Sequence, residues 1–100
     1  MTETQKTRKR LDALWSQIVK LRAKNRCEKC GRTQNLNSHH IFSRSNNSTR
    51  WDISNGIAVC PLCHSLGKDS FHKAPLEVAE WLKERRGEKW YQTLRLRASS

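Results

Sequence analysis

A chain of 100 residues has room for one small core, and a net charge of +11 is the excess that a polyphosphate ligand selects. No apolar run approaches the ~20 residues of a membrane span, and the first ten residues, MTETQKTRKR, lack the apolar centre of a secretory signal. Nucleic acid is therefore the expected partner, ahead of solubility alone, with no membrane and a reducing cytoplasm as the setting, where paired cysteines point to metal and not to disulfides.

Residues 1–24 form the first segment. Leu11, Leu14, Trp15, Ile18 and Leu21 recur at spacings of three and four, which predicts a basic amphipathic helix over residues 8–24 whose apolar stripe packs on the rest of the chain. Lys6, Arg8, Lys9 and Arg10 could track a phosphate backbone. Residues 25–73 then lose helical period. CEKCG reads as a metal-wrapping knuckle, NSHHIF as a short strand and SRSNNSTR as a polar loop, with Trp51 plugging the core beneath it. GIAVC is a second strand rich in β-branched residues, and CPLCHSLG is a second knuckle leading into a short helix that stops near Gly67.

Residues 74–97 turn helical again. Pro75 suits a first helical position, Leu76, Val78, Ala79 and Leu82 supply apolar contacts, and Arg85 and Arg86 precede a Gly87 stop. A last helix, roughly Glu88 to Leu96, carries Trp90, Tyr91 and Leu94. The whole chain reads as a single domain of small α+β class.

Cys27 and Cys30 form one C-x2-C pair, and Cys60 and Cys63 form another. A two-residue gap lets both sulfurs reach one ion at about 2.3 Å, so two knuckles complete a tetrahedral structural Zn²⁺ site. A redox pair or an iron–sulfur cluster is the alternative. Between the pairs lie 29 residues, against about 15–20 in the usual pattern. The extra length holds the adjacent histidines His39 and His40.

Along this module the order is His39-His40, Asn55, His64, then His72. With the flanking knuckles, the pattern SHHIF…NGIAVCPLCH resembles the HNH endonucleases, the His-Me or ββα-metal finger nucleases, over roughly residues 26–75. The resemblance implies a zinc-stapled ββα-metal finger flanked by N-terminal and C-terminal helices, and a metal-dependent endonuclease that nicks or cuts DNA. It implies that His40 is the general base, that Asn55 braces the finger, and that His39 and His64 bind a catalytic divalent ion, Mg²⁺ or another. Relatives place a further histidine four residues after His64, where this chain has Lys68; His72 is then a further candidate ligand, displaced by four residues. Compact nucleases of this kind resemble those of phages, so phage or host protein partners are conceivable, with the oligomeric state open.

The chemistry asks for these residue types in its own right. A neutral imidazole titrates near working pH and can take a proton from water, while an ion with few protein ligands keeps positions for phosphate and water. Adjacent strand residues point to opposite faces, so an irregular backbone is expected at His39–His40 if both serve one site. Otherwise one histidine is a ligand and the other merely packs. Arg44 and Arg50, and Lys68 beyond them, are candidate phosphate contacts, or else parts of a solvated charged loop. The alternative for the whole chain is a zinc-bound nucleic-acid-binding module without catalysis.

Overall fold

In the computed structural model, residues 1–67 and 70–100 are described, and the expected contact at Lys68 lies outside them. Helix α1 spans Glu3–Arg22, strands β1 and β2 span Asn37–His40 and Gly56–Val59, and helices α2 and α3 span Pro75–Arg86 and Glu88–Ala98. A 3₁₀ turn, Ile53–Asn55, leads into β2, and a single π-type turn, Leu62–Leu66, follows it. Among the described residues no helix is long and apolar enough to cross a membrane.

Helix α1 starts five residues earlier than apolar periodicity predicts, because its start is set by capping. Thr2 accepts from the Gln5 backbone at 3.1 Å while the Gln5 side chain accepts from the Thr2 backbone at 2.8 Å, a reciprocal box that satisfies two otherwise orphaned amides. The helix ends where Lys24 and Asn25 take left-handed φ values of 58° and 55°. Helices α2 and α3 follow the sequence signals: Pro75 opens one, and Gly87, at φ 95°, breaks between them.

The two strands pair antiparallel with His39 opposite Ile57 and His40 opposite Gly56. Alternation then sorts the side chains into two layers. Ala58 packs with Trp15 and Val19 of α1, and the Ser38 hydroxyl donates to the Ser16 carbonyl at 2.8 Å. On the other face, Ile57 and Val59 join Phe71, Val78, Leu82 and the thiols of Cys27 and Cys60 in the larger core. A two-stranded ribbon is marginal on its own; here it is held between α1 and α2.

The apolar stripe expected to pack is largely in solvent. Leu11, Leu14, Ile18 and Leu21 are exposed, and Trp15 and Val19 are the buried positions of α1. The packed face is rotated toward Asp12, Ser16 and Arg22, whose polar groups bind the sheet and its loops, so hydrophobicity alone misplaced it. Leu76 likewise is exposed, while Val78 and Leu82 of its helix are buried.

Gly56 sets how closely α1 approaches the sheet. A Cβ there would meet Val19 and lie 2.8 Å from Trp15 Cζ2. Gly56→Ala is expected to push α1 outward at a cost of about 1–3 kcal/mol, read as a melting-temperature drop of several degrees. An unchanged melting temperature would mean that α1 is not seated as described.

Candidate metal and active site

The first knuckle is docked against β2. The Glu28 backbone donates to the Ala58 carbonyl at 2.9 Å, and the Glu28 carboxylate accepts from the Ala58 amide at 2.8 Å and from Arg86 at 3.1 Å. This brings Cys27 and Cys30 to Cys60 and Cys63, which leave the end of the same strand. All four sulfurs lie within 4.8 Å of one another, with Cys30 and Cys60 at 3.5 Å. Sulfurs bound to one tetrahedral zinc at about 2.3 Å are separated by just under 4 Å, so the cluster can hold zinc. Burial opposes ionisation of Cys60, but hydrogen bonds from the Cys63 backbone and neighbouring thiols outweigh it and lower it to about 6. Burial and the adjacent sulfurs push Cys63 up instead. Four sulfurs this close favour full ionisation only around a cation.

A second group forms at the other end of the module. His39, His64 and His72 each offer a ring nitrogen, all within 4.8 Å, and His64 Nε2 lies 3.1 Å from His72 Nε2. The π-type turn after Cys63 carries His64, and the segment after it returns so that the His72 amide donates to the His64 carbonyl at 3.2 Å. Burial, reinforced by the positive forms of His64, His72 and His40, holds His39 down at about 4. Burial and His72 also lower His64. Neutral imidazoles with free lone pairs are the form that ligates a divalent ion, so the donor set fits one.

His40 takes the opposite face of β1. Its ring stacks on Trp15 with centroids 3.8 Å apart and planes 9° from parallel. Its Nε2 lies 2.9 Å from the Arg50 carbonyl oxygen. A carbonyl only accepts, so Nε2 carries the proton and Nδ1 keeps its lone pair. Burial lowers His40 while this bond raises it, with a net downward shift.

The expected irregularity at His39–His40 is absent, because pairing continues in register through His40. The two imidazoles diverge as a flat strand requires, yet both line one open cleft of about 440 Å³, together with Asp12, Trp15, Arg44, His64 and His72. The cleft wraps around the end of β1, which lets opposite faces serve it. A hollow of about 490 Å³ beside the knuckles is lined by Gly31, Arg32, Thr33 and Leu62, with no histidine or carboxylate.

Asn55 is fully buried. Its amide nitrogen donates to the carbonyls of Phe42 and Thr49, both at 3.0 Å, and its oxygen accepts from the Phe42 amide at 2.7 Å. It therefore closes the loop from residue 42 to residue 49, next to the Arg50 carbonyl that holds His40. Arg44 lines the cleft with its side chain 69% exposed. Arg50 is turned inward, forking onto Asp12 at 2.9 and 2.7 Å. Trp51 also donates to Asp12, at 2.9 Å.

Asp12 and Trp15 went unread as site residues because their partners are 25 to 39 positions away in the sequence. Their three-residue spacing put them on one helical side, but nothing local named what that side meets. The Arg50 hydrogen bonds, against the opposing effect of burial, hold Asp12 at about 2, below its ordinary 3.8. A depressed carboxylate stabilises the fold above its unfolded pKa and loses that contribution as pH falls through the folded value. The Asp12→Asn variant should therefore melt lower than the unaltered protein at pH 7, with the gap closing only as pH drops from about 4 toward 2. A gap independent of pH would remove the ionic role.

The arrangement is a small α+β domain with a four-cysteine cluster at one end of a β-ribbon and a histidine cleft at the other. Residues 27–70 match the family model described as HNH endonuclease, a similarity that supports a nuclease-like domain over this central segment. No curated protein and no solved structure matches the chain. Helix α1, with Asp12 and Trp15, lies outside the matched residues.

Proposed function

We propose that the protein is a metal-dependent endonuclease that hydrolyses DNA phosphodiester bonds, with His40 as general base. The observation that supports this most directly is the His40 tautomer: its proton is committed to the Arg50 carbonyl at 2.9 Å, leaving Nδ1 able to accept. His40 Nδ1 takes a proton from water as its oxygen bonds to phosphorus. The bond to the 3′ oxygen then breaks, and that oxygen takes a proton from solvent water, giving 3′-hydroxyl and 5′-phosphate ends. A divalent ion held by His39, His64 and His72 would supply positive charge at the phosphate and the departing oxygen. Three nitrogen donors suit Mn²⁺, Ni²⁺ or Zn²⁺ better than Mg²⁺, which prefers oxygen.

The chain's other residues place the base and the substrate. Trp15 fixes the plane of the His40 ring, Asp12 anchors Arg50, and Asn55 holds the intervening loop, so these are positioning residues. Arg44 is exposed at the cleft and can pair with a substrate phosphate. The four cysteines hold structural zinc, which ties the ends of the insertion together. The excess of Lys and Arg supplies sequence-blind attraction to the phosphate backbone.

The test is supercoiled plasmid incubated with the protein and Mg²⁺, Mn²⁺ or Ni²⁺. Conversion to the nicked form is expected, with arrest by brief EDTA treatment, recovery on re-adding the ion, and loss in His64→Ala. Plasmid bound but intact with every ion would leave a zinc-stapled nucleic-acid-binding module.

A further inference from the structure

The outward row on α1 has an order that scattered surface leucines lack. Leu11, Leu14, Ile18 and Leu21 are 36%, 53%, 45% and 64% exposed, and their three-four-three spacing is the alternation of a coiled-coil seam. Isolated exposed aliphatics are ordinary, but four in one row over nearly three turns form a continuous apolar strip. The packing that buries the neighbouring side of α1, through Trp15 and Val19 about a quarter turn away, leaves this strip facing solvent.

The charges beside the strip discriminate between occupants. Arg10 stands one helical turn before Leu14, and the chain just past the helix end, where Lys24 has left helical geometry, is basic as well. The helix has two acidic residues. Glu3 is 3.4 Å from Lys6, and Asp12 is committed to Arg50 at 2.7 Å. A second copy laid antiparallel would set Arg10 against the Lys20–Lys24 end, and one laid parallel would set Arg10 beside Arg10. Each copy also carries a net +11. Four side chains cover only a few hundred Å², short of the ~800 Å² per partner of a stable interface, so little apolar energy offsets that repulsion. DNA is unsuited to an aliphatic strip.

We propose that this face of α1 docks an amphipathic helix of a different protein, one with leucine-like residues at seam positions and Glu or Asp flanking them. The seam supplies apolar contact, and Arg10 with the net positive charge of the chain attracts the acidic flanks and excludes basic helices. This surface lies outside the residues assigned to the cleft, so its occupancy stands independently of nuclease activity.

The full chain is titrated with a fluorescent three-heptad peptide carrying Leu at seam positions and Glu at the flanks. Two control peptides have Lys in place of Glu, or Ser in place of Leu at unchanged charge. The acidic leucine peptide should bind. The serine peptide, and the Leu14→Gln/Leu21→Gln protein with the leucine peptide, should each bind about tenfold more weakly or less, and the lysine peptide should not bind. The serine peptide makes the comparison on unaltered protein, so the result does not depend on the variant's fold. Equal binding of both acidic peptides, or binding of neither, overturns the proposal. A dimer of the chain in light scattering that the double substitution abolishes overturns it in favour of self-association.

Discussion

Cys60→Ser is expected to abolish the cooperative melt of the protein, and complete removal of zinc to do the same. Cys60 is 1% exposed and shares a core cluster with Ile57, Val59 and Phe71, so its loss strikes the metal cluster and the core together. What remains is a pair of four-residue strands, too short for independent stability. Zinc binding contributes on the order of 10 kcal/mol in small knuckle modules, comparable with the total stability of a domain of this size. Helix α1 could keep some far-ultraviolet signal, so near-ultraviolet dichroism of the packed tryptophans is the better readout, paired with zinc content by mass spectrometry. A sample free of zinc that still melts cooperatively near the native temperature would contradict a structural role for the four cysteines.

His40→Ala should fail in a different way. Zinc content and the cooperative melt should survive, while the nicking rate falls by about 10²–10⁴, the range for loss of a general base. The imidazole is partly buried and stacked on Trp15, so some thermal stability is lost as well, and assays belong well below the melting point. Trp15→Phe is the companion measurement. It keeps an aromatic face against His40 but loses the indole donor to the Asp52 carbonyl, a bond of 2.8 Å. Its kcat should drop by much less than in His40→Ala, with KM for plasmid little changed, because it shifts the ring that acts and not the surface that binds. Trp15→Ala is less informative, since truncating a buried tryptophan costs about 3–5 kcal/mol. Full activity in His40→Ala would remove this residue from the mechanism.

The two substitutions separate the two ends of the β-ribbon. One end is a set of thiols joined to the core, where loss of a cysteine is expected to cost the fold. The other is an open cleft with imidazoles on its wall, where loss of a ring leaves most of the core in place. Both ends depend on the same pairing register, since Val59 leads to Cys60 while Gly56 pairs with His40.

Local chemistry by itself determined the elements that rest on short-range rules: both strands, the Pro75 start and Gly87 break of the C-terminal helices, and the paired knuckles. The C-x2-C spacing encodes its geometry within four residues, so the cysteine cluster was legible before any fold. The gathering of His39, His64 and His72 was only half legible, because His72 follows His64 by a spacing that no regular helix brings together, and a returning segment does so instead. Tertiary structure alone decided which face of α1 is buried. Trp15, Asp12, Ser16 and Arg22 find partners on the sheet and its loops, and those polar partners outweighed the better-patterned leucines in fixing the helix rotation. It also decided the fates of the two arginines, since Arg50 forks onto Asp12 across 38 residues while Arg44 makes only a 3.9 Å ion pair with Asp12 and stays exposed at the cleft. Contacts of that range depend on how elements dock, and docking is set by shape and by buried polar partners that no local periodicity records.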